Sequence, residues 1–268
     1  MIKTFILFVL FSFTTSLSTS AQPVDSLNQN PQDNSNLKVK TTYSGINSIR
    51  PRLGKQMIIP ALLTTYGFVA LENDRLIALD NKIKEEVWSE HPHQPNHFDD
   101  WLQYMPGFSV YVLNGLGYRG KNNLLDATRQ YLISSFLMAI VVQSTKNITK
   151  LRRPDGFGSN AFPSGHTAVG FVAAEFLNQE YKDRSILIPV LGYTAAATVG
   201  YMRIYNNKHW FKDVISGAGI GIGITKLVYW VYPAIKRKFF KDKPVNTMIM
   251  PYYQNGSGGL SFIHHFHY

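Results

Sequence analysis

Apolar residues gather in six runs along this chain: Met57–Leu71, Phe108–Leu116, Tyr131–Val142, Thr167–Phe176, Ile186–Met202 and Val214–Val231. Each is bounded by Pro, Gly, Asn or charged residues. Most exceed the roughly four to eight residues of a buried strand and are rich in Ala, Leu and Gly, so the pattern predicts a bundle of helices with loops between them. Polar residues able to do chemistry fall at the ends of these runs rather than inside them. Pro163-Ser164-Gly165-His166 directly precedes Thr167–Phe176, which predicts that it forms the first turn of a helix. Free backbone N–H groups and the positive end of the helix dipole would then face an anion. Likewise, a helix beginning near His209 would put His209 and Asp213, at i and i+4, on one face. The alternating glycines Gly217, Gly219, Gly221 and Gly223 predict close packing of the last helix on its neighbours.

The ends of the chain read differently. Residues 1–21 carry Lys3, an apolar run Phe5–Phe13 and a small-residue stretch ending at Ala21, the pattern of a signal peptide cleaved after Ala21; an uncleaved anchor is the alternative. Residues 22–45, rich in Asn, Gln, Ser and Asp, are expected to form a disordered linker. Residues 46–243 are expected to form the helical domain. In residues 244–268, two β-prone runs flank Asn255-Gly256-Ser257-Gly258-Gly259, which predicts an appended β-hairpin. The expected class is therefore all-α, about six core helices with a short C-terminal hairpin.

Composition narrows the setting. Hydrophobic residues make up 45% of the chain and charged residues only 16%, below the roughly 25% usual in soluble domains. Mean hydropathy is −0.10, low for a chain built wholly of membrane spans. Several runs fall short of the roughly 20 residues a span needs, with Ile186–Met202 and Val214–Val231 the nearest. Integration in a membrane is the favoured reading. The basic run Lys236–Lys243 would lie on the cytoplasmic side, with the motif loops outside. Counting every run after a cleaved leader as a span gives the opposite side. Either an early run does not cross, or the protein is peripheral or soluble in the periplasm.

The formal net charge is +10, and seven of the 27 Lys and Arg residues (Lys146, Lys150, Arg152, Arg153, Arg203, Lys208, Lys212) cluster around the motifs. Such a balance suits anionic lipid or a phosphorylated substrate. There is no stripe of interleaved aromatics and cations, so nucleic acid is not an expected partner. The chain has no cysteine, which excludes disulfides, thiolate catalysis and Cys-ligated metals.

Three motifs carry the chemistry: Lys146-x6-Arg153-Pro154, Pro163-Ser164-Gly165-His166, and Arg203-x5-His209-x3-Asp213. In this order and spacing they resemble the type 2 phosphatidic acid phosphatase (PAP2) family, which shares its site with vanadium haloperoxidases. The one departure is Met202, where the family usually has Ser. The resemblance implies a helical bundle and a phosphatase that needs no cofactor or metal. It implies His209 as the nucleophile that becomes a phosphohistidine, and Asp213 as the residue orienting it. His166 becomes the acid–base group. Lys146, Arg153 and Arg203 become the clamp on the phosphate oxygens, with Ser164 and Gly165 adding donors. These roles agree with the chemistry of each side chain. Lys150, Arg152, Lys208 and Lys212 are expected to be rim charges.

The expected activity is hydrolysis of a phosphomonoester or pyrophosphate on an envelope lipid (phosphatidate-like, polyprenyl pyrophosphate or lipid A) at the periplasmic face of a bacterial inner membrane. Rival readings are a soluble periplasmic acid phosphatase taking small phosphoesters, a vanadate-dependent haloperoxidase, and an inactive envelope protein that binds anionic headgroups. His91, His93, His97, Asp99 and Asp100 include metal-ligand types. The interrupting prolines predict a surface or substrate-entrance loop there, not a metal site. His264, His265 and His267 need no metal either.

Overall fold

The computed structural model describes residues 45–91, 93–239, 247–254 and 257–264, with side chains described between 53 and 238. The expected leader, and all but the last residue of the expected linker, lie outside the described residues. The helices are α1 (Gly45–Val69), α2 (Asp74–Lys84), α3 (Phe98–Leu102), α4 (Met105–Gly115), α5 (Leu124–Thr149), α6 (Gly165–Tyr181), α7 (Leu187–Tyr205) and α8 (Phe211–Phe239). A π-helical turn, Glu85–Ser89, extends α2. Strands β1 (Thr247–Gln254) and β2 (Ser257–His264) pair antiparallel with Gln254 opposite Ser257, so the predicted hairpin is formed.

The six apolar runs correspond to α1, α4, α5, α6, α7 and α8. The hydrophobic pattern missed α2, the π turn and α3. Their sequences mix charged and apolar residues without a long run, and α3 is a single turn of five residues, two of them aspartates. α2 is fixed by local chemistry: the Asn73 side chain caps it by accepting from the Arg75 and Leu76 N–H groups at 3.1 and 3.2 Å.

Helix α8 runs through the middle of the bundle, packed on α1, α5 and α6. Its glycines divide by face. A Cβ at Gly217 would lie 2.6 Å from the Ser164 carbonyl oxygen at the start of α6, and one at Gly219 would lie 2.5 Å from Thr64 Oγ1 on α1. Only glycine permits both approaches. Two apolar clusters complete the core: Val110, Ala127, Phe176, Leu177 and Tyr181 join α4, α5 and α6, while Met138, Val142, Ala168, Val172 and Ile220 join α5, α6 and α8.

Helix α5 buries Ala127, Met138 and Val142 but also carries a broad apolar face outward. Gln130, Ser134 and Thr145 are buried, whereas Leu132, Ile133, Phe136, Leu137, Ile140 and Val141 are exposed. α4 and α7 expose Met105, Phe108, Val112, Ile186, Leu187, Val190 and Leu191 in the same way, Ile186 being the residue that precedes α7. Among the described residues, two helices are long and apolar enough to cross a membrane, Leu124–Thr149 and Phe211–Lys238. The second was expected. The first displaces Ile186–Met202, because α5 extends well beyond its apolar run at both ends.

Candidate active site

The connectivity of the bundle gathers the motifs. Lys146 lies in the last turn of α5, Gly165 and His166 begin α6, Arg203 lies in the last turn of α7, and Asp213 lies in the first turn of α8. Four successive antiparallel helices thus bring one end of each to the same end of the bundle.

Hydrogen bonds then lock the three motifs together. The Ser164 N–H donates to the Asp213 carbonyl at 3.0 Å, and the Trp210 indole donates to the Arg152 carbonyl at 2.9 Å. Lys146 Nζ donates to the Asn160 carbonyl at 2.5 Å, while Arg153 Nε donates to the Asn160 side chain at 2.9 Å. One residue of the loop between α5 and α6 therefore positions two of the predicted clamp cations. Nothing in the motif spacing signals Asn160.

Ser164 is the N-cap of α6, buried, with its Oγ accepting from the Thr167 hydroxyl at 2.9 Å and the Thr167 N–H at 3.4 Å. The expected first-turn role of the tetrapeptide is met, with helix beginning at Gly165.

His209 is almost fully buried, and its Nδ1 lies 3.4 Å from Asp213 Oδ2. Helix α8 starts at Phe211 rather than near His209, so the pair is not formed on one helical face. Instead the His209 N–H donates to the Arg203 carbonyl at 3.2 Å, and Asp213 Oδ2 accepts from the Trp210 N–H at 2.9 Å. The carboxylate caps the helix and faces the imidazole at once. Burial holds the His209 imidazole well below the usual histidine range, reinforced by the positive charges of Lys146, Arg203 and Arg153. Its ring is neutral near pH 7 and carries a lone pair.

Arg203 is buried, and its Nη1 donates to Asp99 Oδ2 at 2.5 Å. Its Nε, also buried, has no hydrogen-bond partner among the described residues; neither do Asp213 Oδ1 and Ser216 Oγ. Leaving such a group unpaired costs about 1–3 kcal/mol. His166 Nε2 lies 3.0 Å from Asp100 Oδ1. Burial and the nearby Arg203 charge lower the pKa of His166, and Asp100 and Asp99 oppose them.

The stretch from His91 to Asp100 behaves differently from a plain loop. The ring nitrogens of His93 face the carbonyl oxygens of His91 and Tyr205, and the ring stacks on Tyr205 with centroids 3.6 Å apart. Asp99 and Asp100, in α3, reach into the site. No group of three or more potential metal ligands converges among the described residues. Two of the expected rim charges need correction. Lys212 is buried and donates to Asp80 Oδ2 at 2.6 Å, tying α8 to α2, while Lys208 pairs with Asp155 at 3.0 Å. Both are neutralised by carboxylates distant in sequence. Met202 stands in α7 one residue before Arg203, and its carbonyl accepts from the Asn206 N–H at 2.8 Å.

Residues 127–237 match the PAP2 superfamily. Over 163 residues the chain is 34% identical to a protein of Porphyromonas gingivalis described as lipid A 1-phosphatase, covering 59% of this chain. The match spans only 36% of that relative's length. Among solved structures, that of Aquifex aeolicus LpxE aligns with a TM-score of 0.43 at 23% identity, over 57% of this chain and 93% of that one. The first transmembrane PAP2 type phosphatidylglycerolphosphate phosphatase from Bacillus subtilis aligns with a TM-score of 0.43 at 21% identity, over 67% and 98% respectively.

Proposed function

We propose that this chain, whose residues 127–237 belong to the PAP2 superfamily, is a metal-independent phosphatase acting on the phosphate group of an envelope lipid. The observation that carries the reading is the buried His209–Asp213 pair facing the Lys146, Arg153 and Arg203 cations, with Arg203 Nε unpartnered among the described residues. A phosphate seated there accepts from Arg203 Nε and is neutralised by all three cations. Ser164 and the first N–H groups of α6 add donors.

In the first half-reaction, neutral His209 attacks phosphorus, and the bond to the leaving oxygen breaks as protonated His166 supplies its proton. Asp213 stabilises the positive charge that develops on the His209 ring. In the second, His166 takes a proton from water, whose oxygen attacks phosphorus and releases phosphate, and His209 is regenerated. Charge neutralisation by three side chains takes the place of a divalent ion.

The lipid part of the proposal rests on the exposed apolar faces of α4, α5 and α7. Leaving them in water is unfavourable by about 25 cal/mol for each Å², and a bilayer removes that cost. The relative from Porphyromonas gingivalis favours a glycosyl phosphate of the lipid A type over a glycerolipid. The active site then faces the periplasm, opposite the basic C-terminal end of α8.

The test is phosphate release by detergent-solubilised protein in the presence of chelator, with lipid A, phosphatidate and polyprenyl pyrophosphate as donors. Wild type releases phosphate from at least one, and His209→Ala abolishes this while keeping its helical circular dichroism. Absence of release by wild type from every donor overturns the reading.

A further inference from the structure

Helix α3 lies outside all three motifs, yet it supplies two carboxylates to the site. Asp99 is completely buried; its Oδ2 accepts from Arg203 Nη1 at 2.5 Å and its Oδ1 from Asn206 Nδ2 at 3.4 Å. Asn206 also exchanges bonds with Asn96, donating to its carbonyl at 2.7 Å and accepting from its N–H at 2.9 Å. The approach to α3 is thus tied to the end of α7, and Asp100 is delivered with it. Asp100 is half-buried. Its Oδ1 lies 3.0 Å from His166 Nε2 and 3.7 Å from Arg203 Nη1, while its Oδ2 lies 3.2 Å from His97 Nδ1.

We propose that Asp100 is a positioning residue for His166: its carboxylate accepts from the Nε2–H, fixes the ring plane, and favours the protonated imidazole against burial and Arg203 until a phosphate arrives. The inference rests on the reading of His166 as the proton donor. It offsets part of a conflict in that reading. A general acid must carry its proton into the reaction, but His166 is partly buried beside a permanent guanidinium, and both features expel a proton. The groups facing it are Asp99 and Asp100 from α3 and Arg203 from α7, with His97 behind Asp100 and His209, Asp213 and Lys146 completing the charges of the site.

Asp99 is engaged by Arg203, so Asp100 is the carboxylate directly in contact with the imidazole. When substrate binds, its own negative charge takes over this role and the leaving oxygen becomes the acceptor of the Nε2 proton. His166 recovers a proton from water in the second step, so Asp100 neither gains nor loses one over the cycle.

Two measurements on the full chain in detergent test this. Histidine-labelled protein is titrated by NMR, the His166 signal being assigned by its loss in His166→Gln. Asp100→Asn lowers the His166 midpoint by about one unit, and Asp100→Glu holds it near wild type. In parallel, the pH profile of kcat/KM for phosphate release from phosphatidate or lipid A micelles has its alkaline limb moved down by the same amount in Asp100→Asn. Rates on that limb fall about tenfold for a one-unit shift. An unchanged His166 midpoint in Asp100→Asn overturns the proposal. A uniform rate change without movement of the limb overturns it as well. The NMR result stands without turnover, so failure of wild type to release phosphate counts against the phosphatase reading alone.

Discussion

The two ends of the bundle both bury charge, and they do so in opposite ways. At the end holding the C-termini of α6 and α8, the buried carboxylates among the described residues are all engaged. Glu180 accepts from Asn122 N and Nδ2 at 2.9 and 2.8 Å and from the Tyr229 hydroxyl at 2.6 Å. Asp126 accepts from Tyr232 at 2.8 Å and from Lys236 at 2.9 Å. Glu175, a little further along α6, is held by Tyr193, Gln179 and Lys226. At the motif end, three cations crowd one histidine, and Arg203 Nε and Asp213 Oδ1 have no partner among the described residues. Satisfied networks hold helices together; an unsatisfied one is arranged for something that arrives. The difference teaches that burial of charge alone does not mark the site, whereas incomplete pairing does.

The contrast predicts a separation of effects, and the largest concern activity. His209→Ala is expected to lower kcat by at least about 10⁴-fold, by analogy with the loss of other nucleophiles, while the thermal midpoint changes little. Arg203→Lys is expected to lower kcat/KM by about 10²–10³-fold, because an ammonium cannot reproduce the guanidinium's fork between Asp99 and the phosphate. Single-turnover phosphate release measures both. If either variant loses stability in proportion to activity, the motif end is structural and the contrast is void.

Gly217→Ala sits between the two ends in its consequences. The added methyl meets the Ser164 carbonyl, so it should cost about 1–3 kcal/mol and also lower activity by displacing the start of α6. Tyr229→Phe should do only the first of these. Glu180 keeps its Asn122 bonds, and the expected loss is about 1–2 kcal/mol in denaturant unfolding with unchanged kcat.

The smallest effect is on pH dependence of stability. Burial lowers the pKa of His209, helped by Lys146, and that of His166, helped by Arg203, so both folded values lie below the unfolded 6.5. Well above that value both rings are mostly unprotonated in either state. As pH falls below it, the unfolded chain gains protons first, and stability declines towards the folded pKa values. Unfolding at pH 7.5 and 5.5 checks the sign, and His209→Gln should flatten the slope.

Much of this was legible in the sequence. The helical bundle follows from long apolar runs bounded by Gly, Pro and charge, and the glycines of α8 announced its close packing. The motif residues Lys146, Arg153, Ser164, Gly165, His166, Arg203, His209 and Asp213 were singled out by the order and spacing that resemble the PAP2 family, and their proposed roles are those the resemblance implies. Helix α8 starts at Phe211, two residues after His209, so the His209–Asp213 pair joins the residue before the helix to its first turn rather than two residues of one helical face. Lys212 looked like a rim charge because its neutralising partner, Asp80, is far away in the chain.

What the sequence by itself determined is which apolar runs make the long helices and which motif residues are proposed for the site. Both depend on local periodicity, capping and residue type. Only the tertiary structure decided that α3 brings Asp99 and Asp100 to Arg203 and His166, that Asn160 holds both Lys146 and Arg153, and that Lys208 and Lys212 are neutralised elsewhere. These are pairings between residues remote in sequence. Their energies depend on which groups the fold removes from water together, and no local pattern encodes that.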